Sequence, residues 1–285
     1  MAGNRREGLR DLAITIILIV TSLVVSRFAR HVLAASTDDT FLLDFLGEAA
    51  MSLPVFVATF VLGRTSLYRW NRKLLKAGWM TALFTLVYSA LLLIISPKAF
   101  DASIATPAHI ALFVAHMALV GYCEEMLFRG YAQNAFHTLF GEESWLSVLL
   151  AVICGGLLFG GVHLSNAFES DIAITAATAQ ALSAAFDGMY LCGIYYRTGR
   201  CLWYLAALHA LGDAAIFIAN GMFLGYTTGD IINSASAPSI AQIMFPMALY
   251  GGLTLFILRP SKVKPLLRRR RTRRNSRSTP THTIR

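Results

Sequence analysis

Three short groups of residues carry the types and spacing that chemistry requires. The first is Glu124, Glu125 and Arg129 within GYCEEMLFRGY at 121–131. The second is Phe159 and His163 in FGGVH at 159–163, and the third is His209 and Asp213 in HALGD at 209–213. A carboxylate and an imidazole aimed at one water can take a proton from it, which is general base catalysis. A second polar pair can stabilise the oxyanion formed when that water attacks a carbonyl. The set therefore suits hydrolysis of an amide or ester. Glu124, His163 and His209 would also make a Zn²⁺ set with one position open for water. The H-E-x-x-H pattern of a single metal-binding helix is absent.

Spacing suggests what each side chain faces. On a helix Glu125 and Arg129 share a face, in the favourable order for an ion pair. Glu124 is turned about 100° away and is free to face another element. His209 and Asp213 lie one turn apart on one face. Phe159 precedes His163 by one turn and can wall a pocket beside it. Glu124 and His163 are equidistant from the polar run Gly-Glu-Glu-Ser at 141–144. A turn there predicts an antiparallel hairpin that holds the two side chains at one height. Gly155, Gly156, Gly160 and Gly161 favour close helix approach. Asp187 is expected to bond a neighbour rather than join the site.

The elements that must position these residues are strongly apolar. Of 285 residues 56% are hydrophobic and 14% charged, against about 25% charged in an ordinary soluble domain. Mean hydropathy is +0.57. These values exclude a soluble globule, a disordered chain and a disulfide-stapled one. Cys123, Cys154, Cys192 and Cys201 read as free thiols. Apolar runs fall at about 12–28, 41–63, 78–96, 108–133, 145–165, 172–192, 201–221 and 238–258, each near the ~20 residues needed to cross the hydrocarbon. The second is the least regular, with Asp44, Glu48 and Pro54 inside it. Long unbroken runs disfavour a β-barrel. The expected fold is an all-α polytopic membrane protein of about eight transmembrane helices around an intramembrane polar site. Residues 1–104 hold the first three helices, 105–225 the catalytic core, 226–260 the last helix and 261–285 a basic tail.

Charge sets the expected topology. With both termini cytoplasmic, nearly all of the 25 Lys and Arg fall on the inner side. Arg27 and Arg30 close behind the first run favour an uncleaved helix over a signal peptide. The run RRRRTRR at 268–274 is read as a polybasic segment on anionic lipids rather than a nucleic-acid site. The expected partners are membrane lipids and a membrane-associated peptide or protein substrate, with no nucleic acid.

The motifs E-E-x-x-x-R, F-x-x-x-H and H-x-x-x-D follow one another in order. Over about 105–225 the chain resembles the CAAX protease and bacteriocin-processing (Abi) family, which includes prenyl-protein endopeptidases of the Ras-converting type. The resemblance implies an eight-helix intramembrane endopeptidase. It implies that Glu124 and His163 activate the water and that His209 and Asp213 form the oxyanion site, with Glu125, Arg129 and Phe159 in support. Eukaryotic members usually carry Asn at the last position. An ionised Asp213 would repel an oxyanion, so it must be protonated or must orient His209 instead. The family is associated with both metal-dependent and metal-free glutamate mechanisms, so a Zn²⁺ cofactor stays open. The charge count puts the 141–144 turn on the cytoplasmic side and Glu124 and His163 toward the other face. The family's prenylated cytosolic substrate is therefore not carried over. Two other classes remain in view. One is a non-catalytic adaptor or sensor that keeps the fold. The other is an ion-coupled transporter using buried carboxylates, against which stands the lack of an internal repeat.

Overall fold

In the computed structural model the chain is described over residues 2–69, 72–96, 100–168, 172–234 and 240–268. Of the basic run at 268–274, all but Arg268 lies outside the described residues. The α-helices are α1 (Ala2–Ala34), α2 (Thr40–Val61), α3 (Arg72–Ile95), α4 (Pro107–Glu125), α5 (Asn134–Phe140), α6 (Trp145–His163), α7 (Ile174–Arg197), α8 (Leu202–Ala219), α9 (Thr228–Asn233) and α10 (Ile240–Ile257). Among the described residues there is no strand, and a single isolated bridge pairs Phe100 with Phe223.

Each apolar run of the sequence becomes a helix. Five helical stretches are long and apolar enough to cross a membrane: Arg5–Ala34, Thr40–Val61, Pro107–Phe140, Trp145–Phe168 and Leu202–Ala219. Shorter apolar helices, Ala82–Ile95 and Met244–Ile257, belong to α3 and α10. The remaining run is α7, which is less apolar and largely buried among the others. Side chains such as Ile17 (63% exposed), Phe28 (67%) and Ile94 (72%) point outward, while the charged groups described below point inward. That inversion suits a hydrocarbon solvent. The chain is an all-α integral membrane protein.

Helix starts follow from local chemistry. The Asp39 carboxylate accepts from the amide of Leu42 ahead of α2. Thr106 accepts from His109 with Pro107 at the first helical position, and Ser144 accepts from Ser147 ahead of α6. Each satisfies one donor that a helix N-terminus leaves unpaired. Thr227 and Asp230 form a reciprocal capping box on α9. There the Thr227 backbone amide and hydroxyl hold the Asp230 carboxyl below its ordinary range.

The fourth run continues further than its apolar stretch suggests. A π-helical segment, Met126–Gln133, joins α4 to α5 without a break. The continuous helix Pro107–Phe140 has 34 residues, and Glu124 stands halfway along it, about 25 Å from either end.

The predicted hairpin about 141–144 forms: the continuation of α4 through 126–140 packs on α6, with the Phe128 ring 4.9 Å from that of Phe159. Beyond the hairpin α4 also seats on α8 and α2, and α6 on α7. Small residues decide this. A Cβ at Gly121 would run into the carbonyl oxygen of Ala206 on α8. A Cβ at Gly156 or Gly160 would meet the backbone of Ala185 or Ala181 on α7. Bare backbone at these points lets each helix seat on its own neighbour. Gly161 has nothing within 4 Å and plays no such part.

Candidate active site

The polar site is built where α4 meets α8. Glu125 and Arg129 form the ion pair that their spacing predicts, with Nη1 donating to Oε1 at 2.8 Å. Both side chains are buried. Arg129 also donates to the carbonyl of Gly188 on α7 at 3.3 Å, and its guanidinium lies 4.6 Å above the Phe159 ring.

The same Glu125 oxygen, Oε1, lies 2.7 Å from Nδ1 of His209. The other ring nitrogen, Nε2, faces Oε2 of Glu124 at 3.4 Å and Oδ2 of Asp213 at 3.3 Å. One imidazole is thus set among three carboxyl groups from two helices. Glu125 fixes the orientation of the ring, as an acceptor on Nδ1 does for a catalytic histidine. Glu124 and Asp213 are the more open members, with side chains 18% and 28% exposed.

His163 reaches this cluster through Phe159. Its Nδ1 lies 2.9 Å from the Phe159 carbonyl oxygen. A carbonyl only accepts, so Nδ1 carries the proton and the neutral ring presents its lone pair at Nε2. The His163 ring stands edge-on to Phe159 at 4.7 Å, and Phe159 stands edge-on to His209 at 5.9 Å. Phe159 is buried and forms the wall expected of it. His163 is near enough to interact electrostatically with Asp213 and His209. Among the described residues no hydrogen bond or ion pair joins it to Glu124.

The structure therefore gathers Glu124, Glu125, Arg129, Phe159, His209 and Asp213 in one place, with His163 at its edge. The donor set considered for Zn²⁺ does not assemble. Among the described residues no three His, Cys, Asp or Glu side chains are grouped to hold a metal. Both nitrogens of His209 are already turned to carboxyl groups. The residues do not fit a three-ligand zinc site, and no step below is routed through a metal.

Asp187 differs from expectation. Among the described residues no hydrogen bond or ion pair ties it to a neighbour, and it interacts electrostatically with His209, Arg129 and Asp213. It borders the site. Two further polar residues border the site without having been assigned to it from the sequence. Glu48 on α2 is buried and lies within electrostatic range of Glu124 and Asp213. His116 on α4, also buried, interacts with Asp44, Arg30 and Asp213. The signal for His116 was available, because it precedes Glu124 by about two helical turns inside an otherwise apolar run. The signal for Glu48 was a carboxylate inside a span. The four cysteines are free, as expected.

No curated protein matches the chain. A family model does match, described as type II CAAX prenyl endopeptidase Rce1-like, over residues 106–215. The matched segment is less than half of the chain and contains every residue of the cluster on α4, the π-helical segment, α6 and α8. Residues 106–215 are thus similar to the Rce1-like type II CAAX prenyl endopeptidases, in agreement with the resemblance seen in the motifs.

Proposed function

We propose that the protein is an intramembrane endopeptidase that hydrolyses a peptide bond of a membrane-associated protein or peptide. The observation that carries this reading is the setting of His209 among Glu125, Glu124 and Asp213, with Arg129 behind Glu125. Ionisable groups are expensive inside a membrane and are retained there for function.

In the proposed reaction Glu124 and the Nε2 lone pair of His163 hold the attacking water, and Glu124 takes its proton. The water oxygen bonds to the carbonyl carbon. His209, oriented through Glu125, donates from Nε2 to the oxyanion. Asp213 faces the same Nε2–H in the resting enzyme, yields it to the oxyanion during the reaction, and does not itself contact the oxyanion, because a carboxylate there would repel it. Arg129 balances the charge of Glu125. The substrate is a peptide segment presented within the membrane, and both termini of the enzyme face the cytoplasm.

The test uses the full-length protein in detergent with a library of lipid-anchored peptides, with products read by mass spectrometry. Cleavage is expected, and Glu124→Ala and His163→Ala should each abolish it. Undiminished cleavage in both variants would sink the assignment. Ion flux in proteoliposomes that depended on Glu124, without cleavage, would favour a transporter. The zinc chelator 1,10-phenanthroline is expected to leave the rate unchanged. A loss that added Zn²⁺ restores would overturn the metal-free mechanism.

A further inference from the structure

The proposed reaction leaves one buried carboxyl beside the site unused. Glu48 on α2 is 7% exposed, and its Oε1 has no hydrogen-bond partner among the described residues. A buried acceptor without a donor is unfavourable, and such a group calls for an explanation. The charged groups around Glu48 are Glu124 on α4, Arg30 on α1, Asp44 on α2 and Asp213 on α8. The one cation among them is committed elsewhere. Arg30 is ion-paired with Asp44, and the other Asp44 oxygen accepts from the Thr228 hydroxyl at 2.9 Å. One turn beyond Glu48, Ser52 adjoins Cys123, the residue before Glu124. The inner face of α2 thus lies against the turn of α4 that carries Glu124.

A peptide bound beside Glu124 brings backbone N–H donors where no bulk water can satisfy them. At the bond to be cut, that donor is the N–H of the leaving nitrogen. We propose that Glu48 accepts this N–H and holds the scissile nitrogen with its lone pair toward Glu124. The proposal rests on Glu124 being the base. In the reaction, water oxygen bonds to the carbonyl carbon and one water proton moves to Glu124. When the intermediate collapses, the C–N bond breaks and its electron pair stays on nitrogen. The proton on Glu124 passes to that nitrogen, and the carbonyl re-forms from the oxyanion. The products are a carboxylic acid and an amine, which then exchange a proton. Glu48 neither gains nor loses a proton; it is a positioning residue that fixes the leaving nitrogen.

An ester has no N–H at this position, which provides the test. A lipid-anchored peptide that the full-length enzyme cleaves is compared with its analogue carrying an ester in place of the cut amide. Glu48→Leu is expected to lower amide turnover by on the order of 10-fold, the weight of one hydrogen bond. Ester turnover should stay near that of the unaltered enzyme. Glu48→Gln keeps an acceptor oxygen at the same reach and should recover part of the amide activity. If Glu48→Leu does not fold, the amide-to-ester ratio of Glu48→Gln decides. Equal losses on the two substrates, or no loss on the amide, would overturn the proposal. Glu124→Gln separates the two readings, because loss of the base removes amide and ester cleavage alike. Retained cleavage of both by that variant would refute the base instead.

Discussion

Arg129 has no exposed surface, and the charge it answers is that of Glu125. Removing one member of a buried pair leaves the other uncompensated, which costs about 3–5 kcal/mol. Arg129→Ala is therefore expected to destabilise the protein by about that amount, visible as a lower melting temperature in detergent. His209 is a different case. Without it Glu125 still has Arg129, so His209→Ala should fold normally and lose about 10²–10³-fold in kcat, the weight of one oxyanion donor. A comparable fall in melting temperature would show that the residue is structural. Asp213 tests the geometry from the other side. If it only orients His209, Asp213→Asn retains an acceptor and removes a repelling charge, so kcat should hold or rise. A collapse of kcat would mean that the carboxylate itself is required. These pairs were legible in the sequence because they are local: Glu125 with Arg129 and His209 with Asp213 are each one helical turn apart. Glu48 was not legible as a neighbour of Glu124, since only the packing of α2 on α4 makes it one.

Among the elements, bare backbone chooses partners. Gly160 and Gly161 are adjacent in sequence but face different surroundings: the first lies against α7 and the second faces open space. Gly160→Val should destabilise by about 1–3 kcal/mol through overpacking. Gly161→Ala should be neutral or stabilising, by up to about 1 kcal/mol from helix propensity. Thermal melts of the two variants check the contrast, and equal effects would contradict this packing. The small helix α9 responds to pH. Its capping carboxyl, Asp230, is held below the ordinary range by Thr227, so its contribution is present above that range and is lost as pH falls through the depressed value. Amide protection at 227–234, taken relative to the intrinsic exchange rate at each pH, should fall in acid, and Asp230→Asn should remove that change. The π-helical segment 126–133 had no sequence signal beyond its mixed composition. It extends α4 into α5, so that Glu124 stands halfway along one continuous helix.

At the scale of the whole molecule, the charge distribution makes a prediction of its own. The Lys and Arg of the amino terminus, the 64–76 segment and above all the tail after Leu258 predict that both termini face the cytoplasm. Epitope tags at either end should resist an impermeant label on intact cells and react after permeabilisation, and labelling of either tag on intact cells would reverse the topology. The sequence alone determined the apolar surroundings, the all-α class and the local charged pairs. Hydropathy and residues one turn apart are properties of a single segment. The tertiary structure alone decided that α4 seats on α8 and α6 on α7, that Phe159 stands between His163 and His209, and that Glu48 adjoins the site. The physical reason is that lipid is as apolar as the helices themselves. Hydrophobicity therefore cannot choose between neighbours, and the choice falls to close fit at small residues and to buried polar contacts, neither of which can be read from one helix at a time.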